Sequence, residues 1–287
     1  MIPGRFNYYR PDSITEAVTL LGKLGDEARP LAGGHSLIPM MKLRLAQPEH
    51  LIDLGRIASL KGVRQDGGDI IIGAMTTQAD ILKAALLTEK APILAEAAAV
   101  IADPQVRYQG TLGGNVANGD PGNDMPGVMQ CLDARYVLTG AGGSREVKAR
   151  DFYEAAFFTK LKPGELLTAI RIAIPAAGHG WAYEKLKRKI GDYAIAAAAV
   201  MLTKAGGKIQ TASIALTNVG QTPLLAVAAA KHLIGGSLDK AAVDAAVAAI
   251  AIADPTADTR GPVDYRRSVL GIMVRRAIER AGGRATG

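Results

Sequence analysis

Apolar residues recur at helical spacing near the start of the chain, where Ile14, Val18 and Leu21 mark one face of a first helix. Ser13 stands directly before them in the N-cap position, where its hydroxyl can accept a main-chain N–H. Gly25 follows as the terminating residue. The pattern predicts an amphipathic helix between these two caps.

Short apolar segments surround this helix. Residues 8–11 and 29–32 are predicted to be extended, a short helix follows at 40–45, and another strand is expected at 50–54. A strand, a glycine turn and a following helix place main-chain N–H groups at the carboxyl end of the strand, which is the usual ligand position in α/β units. The first predicted unit, residues 1–56, is therefore a small βαβ-type subdomain.

From residue 57 the pattern alternates short strands with apolar helices. Gly67-Gly68 is typical of a hairpin turn, and Thr77 stands as an N-cap. We expect a second subdomain with a mixed or antiparallel sheet and helices, residues 57–177. Its expected strands are 62–64, 70–72, 136–138, 144–147 and 166–174, and its expected helices are 78–87, 92–101 and 126–132.

After residue 178 strands precede helices, an order typical of a separate α+β domain. The expected elements are strands at 181–186, 194–202 and 209–217, followed by helices that begin near Pro223, Asp239 and Pro262. The whole pattern predicts an α+β fold: two N-terminal subdomains, then a C-terminal domain, residues 178–287, with a three-stranded antiparallel sheet and helices.

Composition and charge exclude several classes of function. Cys131 is the single cysteine, so the chain forms no internal disulfide and cannot by itself hold an iron–sulfur cluster or a cysteine-type zinc site. The net charge is +7, but the C-terminal arginines are interleaved with Tyr265 alone, so we expect no nucleic-acid binding. The N-terminus lacks an apolar signal segment, and we expect a cytoplasmic protein.

Two glycine-rich stretches carry the candidate chemistry. Residues 110–124 contain five glycines, three asparagines and two aspartates, and residues 32–36 form a shorter stretch of the same character. Glycine lets another group approach the main chain closely, so such stretches can aim several N–H groups at an anion. Each could also be a turn. If both are ligand sites, two cradles suit a diphosphate group.

No residue is predicted to act as a catalytic acid, base, nucleophile or metal ligand. The four histidines are far apart, and the chain has no serine elbow, no Walker lysine motif and no Rossmann glycine fingerprint. Asp120 and Asp124 lie four positions apart, but within a glycine-rich stretch we expect them to bond main-chain N–H groups or a ligand hydroxyl.

A basic segment opens the C-terminal domain, with four cations among residues 185–189, followed by Asp192 and Tyr193. One interpretation is a solvated loop between strands. The other is a site in which the cations offset negative charge on a ligand, and in which Tyr193 stacks on a flat ring.

Over essentially its whole length the chain resembles the flavoprotein, or medium, subunit of molybdenum-containing hydroxylases such as xanthine dehydrogenase. The resemblance rests on Ala32-Gly33-Gly34-His35-Ser36, Thr111-Leu112-Gly113-Gly114-Asn115, Gly119-Asp120-Pro121-Gly122-Asn123-Asp124 and Lys187-Arg188-Lys189-Ile190-Gly191-Asp192-Tyr193. The two double-glycine motifs are general to the family. The last two strings are similar to those of its carbon monoxide dehydrogenase branch.

The resemblance implies that FAD lies between the two N-terminal subdomains and the C-terminal domain. It implies contact of Ile101 with the flavin ring region, a bond from Asp124 to a polar group of the cofactor, and stacking of Tyr193 on the isoalloxazine ring. The remaining FAD-binding residues that it implies, chiefly around the diphosphate, are Ala32, Gly33, Gly34, His35, Ser36, Leu37, Thr111, Leu112, Gly113, Gly114, Asn115, Lys185 and Asp192.

The resemblance also implies partners. An iron–sulfur small subunit would carry 2Fe-2S clusters and a large subunit a molybdenum cofactor, in a dimer of heterotrimers with a quinone-type electron acceptor. The complex would be cytoplasmic, with at most peripheral association at the inner face of the cytoplasmic membrane. The predicted function is electron transfer by FAD in a carbon monoxide dehydrogenase. The alternatives are a related hydroxylase acting on aldehydes, purines or other heterocycles, and a nucleotide-binding scaffold without redox activity.

Overall fold

The computed structural model describes residues 2–287 and contains three units, each built on its own sheet. In the N-terminal unit, strands β1 and β2 pair in parallel on either side of β3. Ser13 accepts the N–H of Glu16 at the start of helix α1, as its position predicts. The elements are β1 Asn7–Tyr9, α1 Ile14–Leu24, β2 Ala28–Leu31, α2 Leu37–Lys42 and β3 His50–Asp53.

The second unit has a five-stranded sheet with order β4-β5-β10-β6-β7, in which every pair is antiparallel. Its strands are β4 Val63–Asp66, β5 Asp69–Gly73, β6 Arg135–Gly140, β7 Gly143–Lys148, β8 Tyr153–Ala155, β9 Phe158–Thr159 and β10 Leu166–Ala173. Its helices are α3 Gln78–Lys83, α4 Ala85–Lys90, α5 Ile93–Val100, α6 Pro104–Gln109, α7 Leu112–Ala117 and α8 Asp124–Cys131.

The C-terminal unit packs a long helix against an antiparallel sheet, with an aliphatic core between them. The strands are β11 Gly180–Leu186, β12 Ala196–Ala205, β13 Lys208–Thr217 and β14 Leu224–Leu225. The helices are α9 Val227–Lys231, α10 Lys240–Ala248 and α11 Val263–Arg284.

Helix α8 joins the second unit to the C-terminal sheet, and all eight of its residues are buried. It crosses β12 and β13 closely at Gly127, where a Cβ atom would lie 2.3 Å from Oγ1 of Thr217. A residue larger than glycine would therefore separate the two units at this crossing.

A second connection runs from the end of α11 to helix α5. Arg284 donates to Oε2 of Glu96 at 2.6 Å and to the Trp181 carbonyl at 2.8 Å, and its guanidinium carbon lies 4.9 Å from the Trp181 ring centroid. The other carboxylate oxygen of Glu96 accepts the Tyr183 main-chain N–H at 2.8 Å. The last helix is thus fastened to a residue 188 positions earlier in the chain.

Several predicted elements need correction. The glycine-rich segment contains a helix that was not predicted, α7, whose N-cap Thr111 accepts the main-chain N–H of Gly114. The helix predicted at 78–87 is divided at Ala84, whose extended backbone lets both Ile81 and Leu87 enter the same core.

The C-terminal sheet has four strands instead of the predicted three. The additional strand, β14, is two residues long, too short to leave a pattern in the sequence, and it delays the helix predicted near Pro223 until Val227. Helix α2 begins three residues before the predicted position, at Leu37. Helix α6 and the small β8–β9 pair were not predicted.

Candidate functional site

A cavity of about 470 Å³ is lined by residues of all three units. Sites for small molecules and cofactors commonly have volumes of about 300–1,000 Å³. The predicted site residues that line it are Ala32, Gly34, His35, Ser36, Leu37, Ile101, Thr111, Gly113, Gly114, Asn115, Asp124, Lys185, Asp192 and Tyr193.

Two predicted site residues lie behind the cavity wall. Gly33 has a φ of +85°, and a Cβ atom there would lie 2.2 Å from the Gln109 carbonyl oxygen, so close packing explains this glycine. Leu112 is fully buried in the core of the second unit. Both residues shape the wall without facing the cavity.

The segment between β2 and α2 presents free main-chain donors. Gly34, with φ +78°, follows Gly33 in the left-handed region and turns the chain sharply at the end of β2. Within residues 2–287, no acceptor takes the N–H groups of Gly34, His35 and Ser36. Successive N–H groups of this kind form a concave anion site.

The second glycine stretch differs, because its N–H groups already have partners. Leu112 donates to the Thr76 carbonyl at 2.9 Å, Gly113 to the Ala74 carbonyl at 2.8 Å, and Gly114 to Oγ1 of Thr111 at 3.1 Å. Asn115 N–H donates to the carbonyl of Thr111 at 3.0 Å. Residues 112–115 therefore offer no free main-chain donor. The predicted contact between this stretch and the diphosphate stays a prediction.

Close packing explains the glycines of the second stretch. A Cβ atom on Gly113 would lie 2.6 Å from the Ala74 carbonyl oxygen, and one on Gly114 would lie 2.8 Å from that of Ala32. Oγ1 of Thr111 also lies 3.4 Å from the Ala32 carbonyl oxygen. The two glycine stretches, about eighty residues apart in sequence, are thus in direct contact.

Asp124 lies at the cavity wall and is almost fully buried. Its Oδ1 atom accepts from the Tyr183 hydroxyl at 2.5 Å, and its Oδ2 atom accepts from Nζ of Lys185 at 2.8 Å. Burial, and then the neighbouring Asp124 charge, raise the pKa of Tyr183 well above its ordinary value. A carboxylate has further acceptor capacity, so the predicted bond from Asp124 to the cofactor stays a prediction.

Three cations converge on the carbonyl end of α5, next to Ile101. Lys187 Nζ donates to the Val100 carbonyl at 2.8 Å, and Lys185 Nζ lies 3.4 Å from the same oxygen. Arg107 donates to the Ile101 carbonyl at 2.7 Å. Burial, and next the nearby Lys185 charge, lower the pKa of Lys187.

Tyr193 stands where the basic segment reaches the cavity. Its ring packs against Gly122, where a Cβ atom would lie 2.8 Å from the ring, and the Arg260 guanidinium carbon lies 5.4 Å from the ring centroid. Burial and the charge of Asp120 raise the pKa of Tyr193 to about 12. Asp120 also accepts the Gly122 N–H at 2.8 Å, the kind of bond expected for a carboxylate in this stretch.

Asp192 forms ion pairs with two arginines. Arg188 lies 3.0 Å and Arg260 lies 3.2 Å from its carboxylate oxygens. Burial alone would raise the pKa of Asp192, but the bonds from these arginines outweigh it, and the pKa is lowered. Asp192 therefore holds the Arg260 side chain beside the Tyr193 ring.

Sequence reasoning missed two further polar side chains of this region. Gln78 lines the cavity with 2% exposure, and both its side-chain nitrogen and its side-chain oxygen are without a partner among residues 2–287. Tyr183, which binds Asp124, lies two positions before Lys185 on β11, so the two side chains share one face of the strand and the prediction of Lys185 could have led to it. The only signal for Gln78 in the sequence is that a polar residue follows the predicted N-cap Thr77.

Two family models match the chain. One, described as the FAD binding domain in molybdopterin dehydrogenase, matches residues 4–176, and one, described as the CO dehydrogenase flavoprotein C-terminal domain, matches residues 181–281. The chain therefore belongs to the family of FAD-binding flavoproteins of molybdopterin dehydrogenases.

Its relatives include medium chains of carbon monoxide dehydrogenase. That of Afipia carboxidovorans is 63% identical over 286 residues, 99% of each chain. That of Hydrogenophaga pseudoflava is 50% identical over 285 residues, again 99% of each chain. A chain in the crystal structure of cyanide-inactivated Cu,Mo-CO dehydrogenase has a TM-score of 0.98 at 62% identity, over 99% of this chain and 100% of that one. The family resemblance and the α+β fold predicted from the sequence are confirmed.

Proposed function

We propose that this chain is the FAD-carrying electron-transfer subunit of a carbon monoxide dehydrogenase, and that FAD occupies the cavity between residues 1–56, 57–177 and 178–287. The single observation that carries the placement is the row of free N–H groups at Gly34, His35 and Ser36, which opens into a cavity lined by all three units. The two medium chains at 63% and 50% identity support carbon monoxide as the substrate of the complex.

The residues present fit an FAD molecule. The free N–H groups suit a diphosphate, because phosphate oxygens accept hydrogen bonds and carry negative charge. Ile101, Leu167 and the Tyr193 ring supply apolar surface for a flat ring system.

In this placement, Gly34 to Ser36 bind the diphosphate and fix the cofactor along the cavity. Tyr193 covers the isoalloxazine ring, and Asp192 and Arg260 hold that tyrosine in place. Lys187 puts positive charge beside Ile101, where it would favour the reduced, more negative ring. The charge of Lys185 is already balanced by Asp124. No side chain of this chain is required as a catalytic acid or base.

Bound FAD would supply the redox chemistry, since a flavin can accept and release electrons either singly or in pairs, as transfer from an iron–sulfur cluster to a quinone-type acceptor requires. Oxidation of carbon monoxide with water to carbon dioxide, which releases two protons and two electrons, would take place on the molybdenum subunit. The proposal also includes the dimer of heterotrimers, the quinone-type acceptor and a cytoplasmic location at the inner membrane face, which the family resemblance supports. No helix among residues 2–287 has the length and apolar character needed to cross a membrane.

The test is the absorbance of the subunit, alone and mixed with its iron–sulfur and molybdenum partners, after FAD addition and desalting. Retained flavin bands that bleach with carbon monoxide only in the mixture are the expected result. If the bands bleach with an aldehyde or a purine instead, FAD is the cofactor but carbon monoxide is not the substrate of the complex. If no flavin is retained in either preparation, the proposed redox function is wrong, and the remaining hypothesis is a nucleotide-binding scaffold without redox activity.

A further inference from the structure

Three potential metal ligands meet at one end of the N-terminal sheet. Glu27 directly precedes β2, Glu49 directly precedes β3, and His50 is the first residue of β3. One carboxylate oxygen of each glutamate and one ring nitrogen of His50 lie within 4.8 Å of one another. No spacing in the sequence marks this group, because it is the pairing of β2 with β3 that brings the three residues together.

The main chain and two side chains of β1 hold these three residues in place. The Glu49 N–H donates to the Glu27 carbonyl at 3.0 Å, and the Asn7 N–H donates to the Glu49 carbonyl at 2.8 Å. Nδ1 of His50 lies 3.3 Å from the Tyr9 hydroxyl and 3.3 Å from Nδ2 of Asn7. Outer contacts of this kind orient the imidazole of a metal-binding histidine. The imidazole and both carboxylates are therefore kept at the same edge of the sheet.

The two carboxylates have no cation beside them. Among residues 2–287, no lysine or arginine nitrogen lies within 4.0 Å of Glu27 or Glu49, although Asp12 and Asp53 of the same unit each have an arginine partner. Two carboxylates at this separation repel each other, and a bound cation would remove the repulsion. The charge of the group therefore favours a cationic ligand.

We propose that Glu27, Glu49 and His50 bind one divalent transition-metal ion, for which Zn²⁺ is the best fit. An imidazole nitrogen combined with carboxylate oxygens suits Zn²⁺, whereas Ca²⁺ and Mg²⁺ prefer oxygen ligands alone. Atoms bonded to one Zn²⁺ at about 2.0–2.2 Å lie at most about 4.4 Å apart, so the side chains need only small rotations to close on the ion. Both glutamates are exposed, so water can complete the coordination.

The ion would join β2 to β3 at the end of the sheet that lies away from the cofactor cavity. The free N–H groups of Gly34, His35 and Ser36 follow the carboxyl end of β2, whereas Glu27 lies at its amino end. A strand of four residues, the length of β2, spans about 13 Å. None of the three ligands lines the cavity. The metal site is therefore independent of the proposed function, and it should stabilise the N-terminal unit by binding its folded form.

Zinc titration of the full chain, first treated with a chelator, tests the site. Wild type should bind one Zn²⁺ per chain by calorimetry, and its melting temperature should rise with zinc concentration. His50→Gln and Glu27→Gln should each weaken zinc binding by about 100-fold or more, because loss of an outer contact alone costs about 10–100-fold. Without zinc, Glu27→Gln should melt no lower than wild type, since one of the two repelling charges is gone.

His232→Gln and Glu89→Gln are the matched controls. Both residues are exposed, and neither belongs to a group of three potential metal ligands among residues 2–287. These two variants should bind zinc as wild type does. If they weaken binding by the same factor as His50→Gln and Glu27→Gln, zinc binds elsewhere and the inference is wrong.

X-ray absorption at the zinc edge identifies the ligands. The expected first shell consists of nitrogen and oxygen at about 2.0–2.2 Å, with an imidazole contribution that His50→Gln removes. Sulfur at about 2.3 Å would instead place the ion at Cys131 and would overturn the assignment.

Calcium provides the second comparison, because it does not favour an imidazole ligand. Ca²⁺ should bind far more weakly than Zn²⁺ to wild type. If Ca²⁺ binds as tightly as Zn²⁺ and His50→Gln changes neither affinity, only the carboxylates bind the ion and the imidazole assignment is wrong. Absence of zinc binding by wild type would overturn the inference as a whole. Retention of FAD by the same preparation tests the proposed function separately.

Discussion

Nζ of Lys185 lies 2.8 Å from Oδ2 of Asp124, and the two side chains are only 2% and 6% exposed. Removing one member of a buried ion pair leaves the other charge unpaired in a poorly solvated place. We expect Lys185→Met to reduce the free energy of unfolding of the flavin-free subunit by about 3–5 kcal/mol. Urea unfolding measures this directly.

The control for this variant is Lys240→Met. Lys240 also lies 2.7 Å from a carboxylate, that of Asp244, but its side chain is 88% exposed. Such a surface pair contributes little to the free energy of unfolding, because water screens both charges. If the two substitutions reduce the free energy of unfolding equally, burial of the Lys185–Asp124 pair does not increase its effect on stability.

Gly114→Val should weaken FAD binding to the assembled complex by about fivefold or more, because overpacking at this contact costs about 1–3 kcal/mol. The added Cβ atom would lie 2.8 Å from the Ala32 carbonyl oxygen and would push the two glycine stretches apart. Flavin content per molybdenum measures the effect. Gly142→Val is the control, since no atom lies within 4 Å of its Cβ position. Full occupancy in Gly114→Val would contradict the importance of this contact.

Tyr193→Ala should shift the flavin reduction potential or slow electron transfer to the acceptor, because the ring that we propose to cover the isoalloxazine would be lost. Tyr193→Phe keeps the ring and should stay near wild type in both quantities. Redox titration and acceptor kinetics are the measurements. If potential and kinetics are both unchanged in Tyr193→Ala, the stacking role is wrong.

Asp258 should make stability depend on pH in the acid range. Burial alone would raise its pKa, but hydrogen bonds from Arg266 and Arg260 outweigh burial and lower the pKa to about 2. An unfolded aspartate has a pKa of about 3.9. The stability contributed by this carboxylate is therefore fully present above about pH 4 and is lost as the pH falls towards 2.

The difference in unfolding free energy between wild type and Asp258→Asn should accordingly shrink between pH 5 and pH 3. Chemical unfolding at several pH values tests this. Asp254→Asn provides the comparison, because the Asp254 side chain is 91% exposed and pairs with Arg267 at the surface. A difference for Asp258→Asn that stays constant across this range would contradict the ion-pair explanation.

The sequence predicted the strand and helix order well wherever one residue decides a local structure. Ser13 and Gly25 bound α1 because a cap acts through its immediate neighbours. Ala84 and β14 were missed because their conformations depend on distant packing partners, which leave no local pattern. The glycines of residues 110–124 were noticed, but contact with Ala32 and Ala74 could be found only in three dimensions.

The same limit applies to the site. The resemblance implied that Ile101, Asp124 and Tyr193 belong to one cofactor site, and these residues do line one cavity. It could not show that the N–H groups of residues 112–115 are already bonded, or that Gln78 is buried without partners. Both facts depend on which atoms face each other across elements that are distant in the chain.

The fastening of Arg284 to Glu96 has a consequence for the order of events during translation. Lys185 and Tyr193, which complete the cavity wall, belong to a unit whose apolar sheet face is covered by α11. That helix leaves the ribosome after both preceding units, because it lies at residues 263–284. The first 176 residues can begin folding earlier, since domains fold as units from the N-terminus. The wall of the cavity is therefore completed only after α11 has been synthesised.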